Sequence, residues 1–75
     1  MTLWDLSTGD LATVSGIAED VADNVKLRLV EMGIQKGRDL KCVRRGPFNG
    51  PIVLQLGGSV FALEQDIAKK VGIRQ

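Results

Sequence analysis

A mainly β chain curled into a small barrel, with one helix after the first strand and a short helix before the last, follows from three features. Short alternating apolar segments are separated by turn residues throughout the second half. A Gly57-Gly58 pair joins IVLQL to SVFAL, the two-residue signature of a hairpin. The segment RLVEMGIQKG, Arg28 to Gly37, reads as a helix stopped on a glycine and passed directly to a strand.

Element by element, LATVSGI (Leu11–Ile17) is the first strand, because Thr13 and Val14 favour extended backbone. Gly9 and Gly16 bracket it, implying a tight turn before it and a bulge or bend at its end. Residues 18–33 repeat Val21, Val25, Leu29 and Met32 at helical spacing, with Asp20 or Asp23 as N-terminal cap. Gly33 supplies the left-handed residue that ends this helix, and Ile34 folds back on Leu29. Gly37 then turns the chain into LKCVRR (Leu40–Arg45), whose Leu40 and Cys42 face one way and Lys41 and Val43 the other. Pro47 and Pro51 frame a loop. Ile52, Leu54 and Leu56 share one face of the third strand, and SVFAL is the fourth. EQDIAKK carries acids first and lysines last, matching the helix dipole over a short helix, and VGIR returns as an edge strand. So few residues cannot cover two sheet faces, whereas a curled barrel of the SH3-like kind buries one face and shields most edges. An open α+β sheet is the alternative.

The 75 residues are 44% apolar and 25% charged, which describes one globular domain over residues 1–75. A chain of this size buries only about 60% of its unfolded surface, so a partner or self-association would add to a marginal stability. Ten basic and nine acidic residues leave a net charge of +1 and no global field for nucleic acid or anionic lipid. Neither a signal peptide nor an apolar run of membrane-spanning length is present, and the single cysteine suits a reducing compartment; a cytoplasmic location is expected.

Chemistry is sparse. No nucleophile with an identifiable base is visible, so no catalysis and no cofactor are expected. There is no histidine, Cys42 stands alone on a strand as a small core residue, and Glu19, Asp20 and Asp23 read as helix-start acids; no metal site is expected. Lys36, Arg38, Lys41, Arg44 and Arg45 crowd one short stretch. They form a solvated strand face, a protein-contact surface, or a phosphate-binding face for nucleic acid, although only Trp4, Phe48 and Phe61 are available to stack bases. Phe48, between the loop prolines, is either an exposed anchor or a cap on the barrel. Trp4 and Leu6 lie across the core as an N-terminal lid. Arg28 either meets a partner or covers apolar surface with its stem.

Together, Arg28-Leu29 with Gly33, then Gly37, the loop Gly46, Pro47 and Pro51, and finally Ala62-Leu63 with Ala68 resemble the FeoA family nearly end to end. The chain departs from the family pattern at Gly50, where many relatives have aspartate, and at Glu64, where they often have arginine. The resemblance implies an SH3-like barrel and an accessory role beside FeoB, the large GTPase-linked ferrous iron transporter, whose cytoplasmic GTPase domain is the expected partner at the inner face of the membrane. Family members are described as binding transition metals. Docking would use Arg44, Arg45, Pro47, Phe48 and Pro51 with the helix around Arg28. A small-barrel nucleic-acid-binding protein is the second reading, and the SH3-like module of an iron-dependent repressor the third.

Overall fold

A computed structural model describes all 75 residues, Met1–Gln75. A 3₁₀ turn at Leu3–Asp5 precedes β1 (Leu11–Ile17), α1 (Asp23–Glu31), β2 (Asp39–Arg45), β3 (Ile52–Leu56), β4 (Ser59–Leu63), α2 (Gln65–Ala68) and β5 (Val71–Arg74). The strands form one antiparallel sheet in the order β4-β3-β2-β1-β5. Each expected strand is present, β2 beginning one residue earlier than the alternation implied. The body measures 28 × 24 × 22 Å, so the sheet is curled around its core, with α2 as the connection between its two edge strands.

That core follows the two-residue period. Ala12 and Val14 from β1, Leu40 and Cys42 from β2, Ile52, Leu54 and Leu56 from β3, Leu63 from β4, and Val71 and Ile73 from β5 are all buried. Leu29, Ile34 and Ala68 close it on the helical side, and no polar or charged residue is buried. Leu3 and Leu6 also lie in the core while Trp4 is half-buried, so the expected lid exists as a 3₁₀ turn that presents two leucines inward. Thr2 N–H donates to Asp5 Oδ2 at 2.8 Å and holds that turn.

The helix stop forms as the glycine implied. Gly33 has φ 95°, its N–H donates to Val30 C=O at 2.9 Å, and Ile34 N–H donates to Leu29 C=O at 2.9 Å. These are the two bonds of a Schellman motif, with Leu29 and Ile34 in buried contact distance of the same core. The start of the helix differs from expectation. Ala22 is the capping residue, no side chain caps it, and Asp23 lies in the first turn. Asp20 instead pairs with Lys70 Nζ at 2.6 Å, which ties the segment before α1 to the end of α2 and leaves Val21 outside the helix.

Two bulges set which side chains face outward. In β1 the register shifts between Val14 and Gly16, near where the second bracketing glycine placed an irregularity. In β2 Cys42 pairs with Leu54 but Arg44 with Val53, so Val43 has no partner of its own. That extra residue reverses the alternation beyond it, a reversal the LKCVRR pattern alone does not reveal. Arg45 consequently pairs with buried Ile52 and turns to the inner side.

Candidate docking surface

The β2–β3 connection is a narrow hairpin. Gly46 N–H donates to Pro51 C=O at 3.1 Å, and Gly50 N–H donates to Pro47 C=O at 2.9 Å. A Cβ on Gly46 would lie 3.0 Å from Pro51 O, so the glycine permits this close approach of the two arms. Phe48 (φ 54°) and Asn49 (φ 59°) both occupy the left-handed region, giving the backbone of a type I′ turn without glycine at either central position. Asparagine tolerates that conformation; phenylalanine does so at a cost of roughly 1–2 kcal/mol. Phe48 is 100% exposed, so nothing within this chain offsets the cost. Phe48 therefore does not cap the barrel; it stands exposed in solvent.

The other expected site residues separate into distinct environments. Arg44, Pro47 and Pro51 are exposed, as is Phe48. Arg45 is half-buried: its guanidinium donates to Trp4 C=O at 2.5 Å and Leu6 C=O at 2.8 Å, and stacks 4.2 Å from the Trp4 ring centre. It holds the N-terminal turn against β2, an office the β2 bulge makes available to it. Arg28 is exposed on α1 and borders a groove of about 260 Å³ whose walls are Val25, Leu29, Met32, Ala62, Leu63 and Ile67, with Glu64 opposite. Glu64 also lines the shallow depression beside Asn49 and Pro51, so it lies between the hairpin tip and the groove. The tip and Arg28 are therefore parts of one neighbourhood, a link the sequence separation hides.

Lys36, Arg38, Lys41 and Arg44 are exposed, while Trp4 lies under Arg45 and Phe61 is half-buried. No row of free aromatic faces accompanies these cations. Cys42 is sealed in the core and its thiol is pushed up from its ordinary range chiefly by burial, with the nearby Arg45 guanidinium working the other way. The Lys70 ammonium, by hydrogen bond and charge, holds the Asp20 carboxyl below its ordinary value. No three His, Cys, Asp or Glu side chains converge anywhere, so the donor set does not fit a resident transition metal. No helix is long and apolar enough to cross a membrane.

Comparison with known proteins accords with this geometry. No curated protein matches the chain. Among solved structures, Stenotrophomonas maltophilia FeoA, crystallised with zinc and described as a prokaryotic SH3 domain protein and candidate activating factor of ferrous iron transport, is 33% identical. It superposes with a TM-score of 0.85 over 99% of this chain and 89% of its own. An iron uptake regulatory protein, FeoA, is 30% identical with a TM-score of 0.85, over 99% of this chain and 93% of its own. Chlorobium tepidum FeoA is 29% identical with a TM-score of 0.87, over 97% and 68%. A manganese-dependent transcriptional repressor, at 24% identity and 39% of its length, shares the fold alone. With the FeoA domain model matching residues 1–75, the bulged SH3-like sheet and its glycine-stopped helix belong to the FeoA family.

Proposed function

We propose that this chain is a non-catalytic, cytoplasmic accessory protein of ferrous iron uptake that docks on the GTPase domain of an FeoB-type transporter. The observation that carries the reading is Phe48: an aromatic side chain in full solvent, on a backbone whose conformation disfavours it, at the tip of a rigid hairpin. Such a residue loses nothing by leaving water and is already positioned, which is how aromatic anchors contribute at interfaces. Pro47 and Pro51 stiffen the arms on either side, and Arg44 adds a cation beside the anchor. Arg28 and the apolar groove provide a second contact, reached from the tip across Glu64. Arg45 acts indirectly, by fixing the turn that carries Trp4 behind β2.

Family membership and the description of the Stenotrophomonas relative as a candidate activating factor support a protein partner in iron transport. The test is titration calorimetry with the soluble GTPase domain of the transporter, loaded with GDP or with a GTP analogue. Binding in at least one nucleotide state, weakened by Phe48→Gly and by Arg44→Glu, is the expected result. Absence of binding in both states overturns the reading.

A further inference from the structure

The two edges of the sheet are finished differently. Beside β5 the N-terminal segment covers the outer side, where Thr2 bridges Gly72 and Ile73 N–H donates to Met1 C=O at 3.0 Å. The other edge, β4, has no such cover. Its two-residue turn makes Leu56–Ser59 a hydrogen-bonded pair, so Leu54–Phe61 and Ile52–Leu63 are bonded in alternation. Val60 and Ala62 must then direct their N–H and C=O groups away from β3. No backbone hydrogen bond outside the sheet reaches Ser59–Leu63, and both residues are exposed. SVFAL also contains no charge and no proline, the usual means of blunting a free edge.

We propose that a second copy of this chain takes this edge, β4 running antiparallel to β4 about a two-fold axis at Phe61. In that register Val60 of each copy faces Ala62 of the other, and the two bonded pairs use all four outward N–H and all four outward C=O groups in four hydrogen bonds. Phe61, half-buried in the monomer, meets its own counterpart across the close, non-bonded pair, a favourable aromatic contact. Electrostatics permit the pairing. Ser59 meets Leu63 and the Glu64 carboxylate meets Gly58, so no like charges stand opposite one another. The second copy's Gly58, Ser59 and Val60 enter the open groove that Ala62, Leu63 and Glu64 share with α1, led by the Gly57-Gly58 turn, which carries no side chains. Two strands of this length bury well under the roughly 1,200 Å² of a standard interface, so the dimer is weak and forms at high local concentration.

Dilution of the isolated chain tests this, independently of any transporter. Backbone amide spectra and sedimentation are followed from about 0.05 to about 1 mM, the range in which a weak association reads out. The expected result is a concentration-dependent shift and exchange protection centred on Val60 and Ala62, a dimer by sedimentation, and loss of both in Ala62→Lys, which remains folded because Ala62 is exposed and outside the bonded β3 pairs. The proposal is overturned by spectra that do not change with concentration, by self-association that survives Ala62→Lys, or by shifts centred on Phe48. Engagement of the edge only after addition of the transporter's GTPase domain would assign β4 to that partner and equally overturn the second copy.

Discussion

Replacing Phe48 by glycine should separate stability from binding, because the same residue is costly to the monomer and, in the proposed docking, useful to the complex. The side chain is 100% exposed, so its removal forfeits no burial within the chain. At φ 54° the change relieves about 1–2 kcal/mol of left-handed strain. Glycine's extra freedom in the unfolded chain returns about 0.5–1 kcal/mol of that. The net effect lies between about zero and 1.5 kcal/mol in favour of the fold, which at a urea slope near 1 kcal/mol/M raises the midpoint by at most about 1.5 M. Affinity for the GTPase domain moves the opposite way, by about 2 kcal/mol or roughly thirtyfold if Phe48 is the anchor. Phe48→Asn, which tolerates the backbone without adding glycine's freedom, should raise stability and weaken binding alike. Urea unfolding and calorimetry on the three proteins decide the matter. A loss of more than about 1 kcal/mol of stability in both variants would mean that Phe48 packs in the free chain. Unchanged affinity in both would remove the anchor role.

Gly33→Ala should destabilise by about 1–2 kcal/mol in urea unfolding, since φ 95° disfavours a Cβ that would also lie 3.0 Å from Leu56 Cδ2. Arg45→Lys should cost about 1–3 kcal/mol, because one ammonium cannot reproduce the guanidinium's contacts to Trp4 and Leu6 carbonyls and the indole face; a blue-shift or red-shift of Trp4 fluorescence in the folded variant would report the released turn. Cys42 should confer an alkaline liability. Its folded thiol titrates above its unfolded one, so the native state keeps a proton that the unfolded state gives up, and stability falls as pH rises past about 8.5. Cys42→Val should flatten that slope relative to the parent in unfolding curves taken across pH 7–10. Leu54→Ala, at a fully buried position, should cost about 2–5 kcal/mol, comparable to the whole stability of so small a domain, and thermal unfolding should show its transition lost or lowered well below the parent's.

Much of the fold is legible in the sequence where local chemistry and tertiary demand agree. Ile52, Leu54 and Leu56 alternate without interruption between a proline and a glycine pair, and β3 spans them with no shift of boundary. Gly33 and Ile34 encode a helix stop that needs only local bonds. The Gly57-Gly58 hairpin also forms, although only Gly57 has positive φ, the pattern of a type II′ rather than a I′ turn. What escapes the sequence depends on distant partners. Asp20 looks like a cap because acids favour helix starts, yet Lys70, fifty residues away, offers it an ion pair. The bulge at Val43 leaves no mark on the apolar pattern, because the residues beyond it are two arginines that suit either face by composition. The 3₁₀ turn is hidden for a similar reason: Leu3 and Leu6 are three residues apart, too short a run to display a period.

That bulge bears directly on the proposed docking surface. With unbroken alternation Arg44 would turn inward beside Cys42 and Arg45 outward beside Phe48. The extra residue exchanges them, so that Arg45 clamps the N-terminal turn and Arg44 stands exposed on the outer side of β2. The five clustered cations of the sequence are thus one structural residue and four exposed ones. Glu64 lies between the hairpin tip and Arg28, since it borders both the hairpin depression and the apolar groove. A partner that covers the tip and reaches Arg28 must therefore meet the Glu64 carboxylate on the way. The FeoA pattern often has arginine at that place, so a partner matched to this chain would offer it a cation or a hydrogen-bond donor, and one matched to such relatives an acceptor. Specificity among otherwise similar docking surfaces can rest on that single reversal of sign, because an unpaired buried carboxylate costs more than a missing contact.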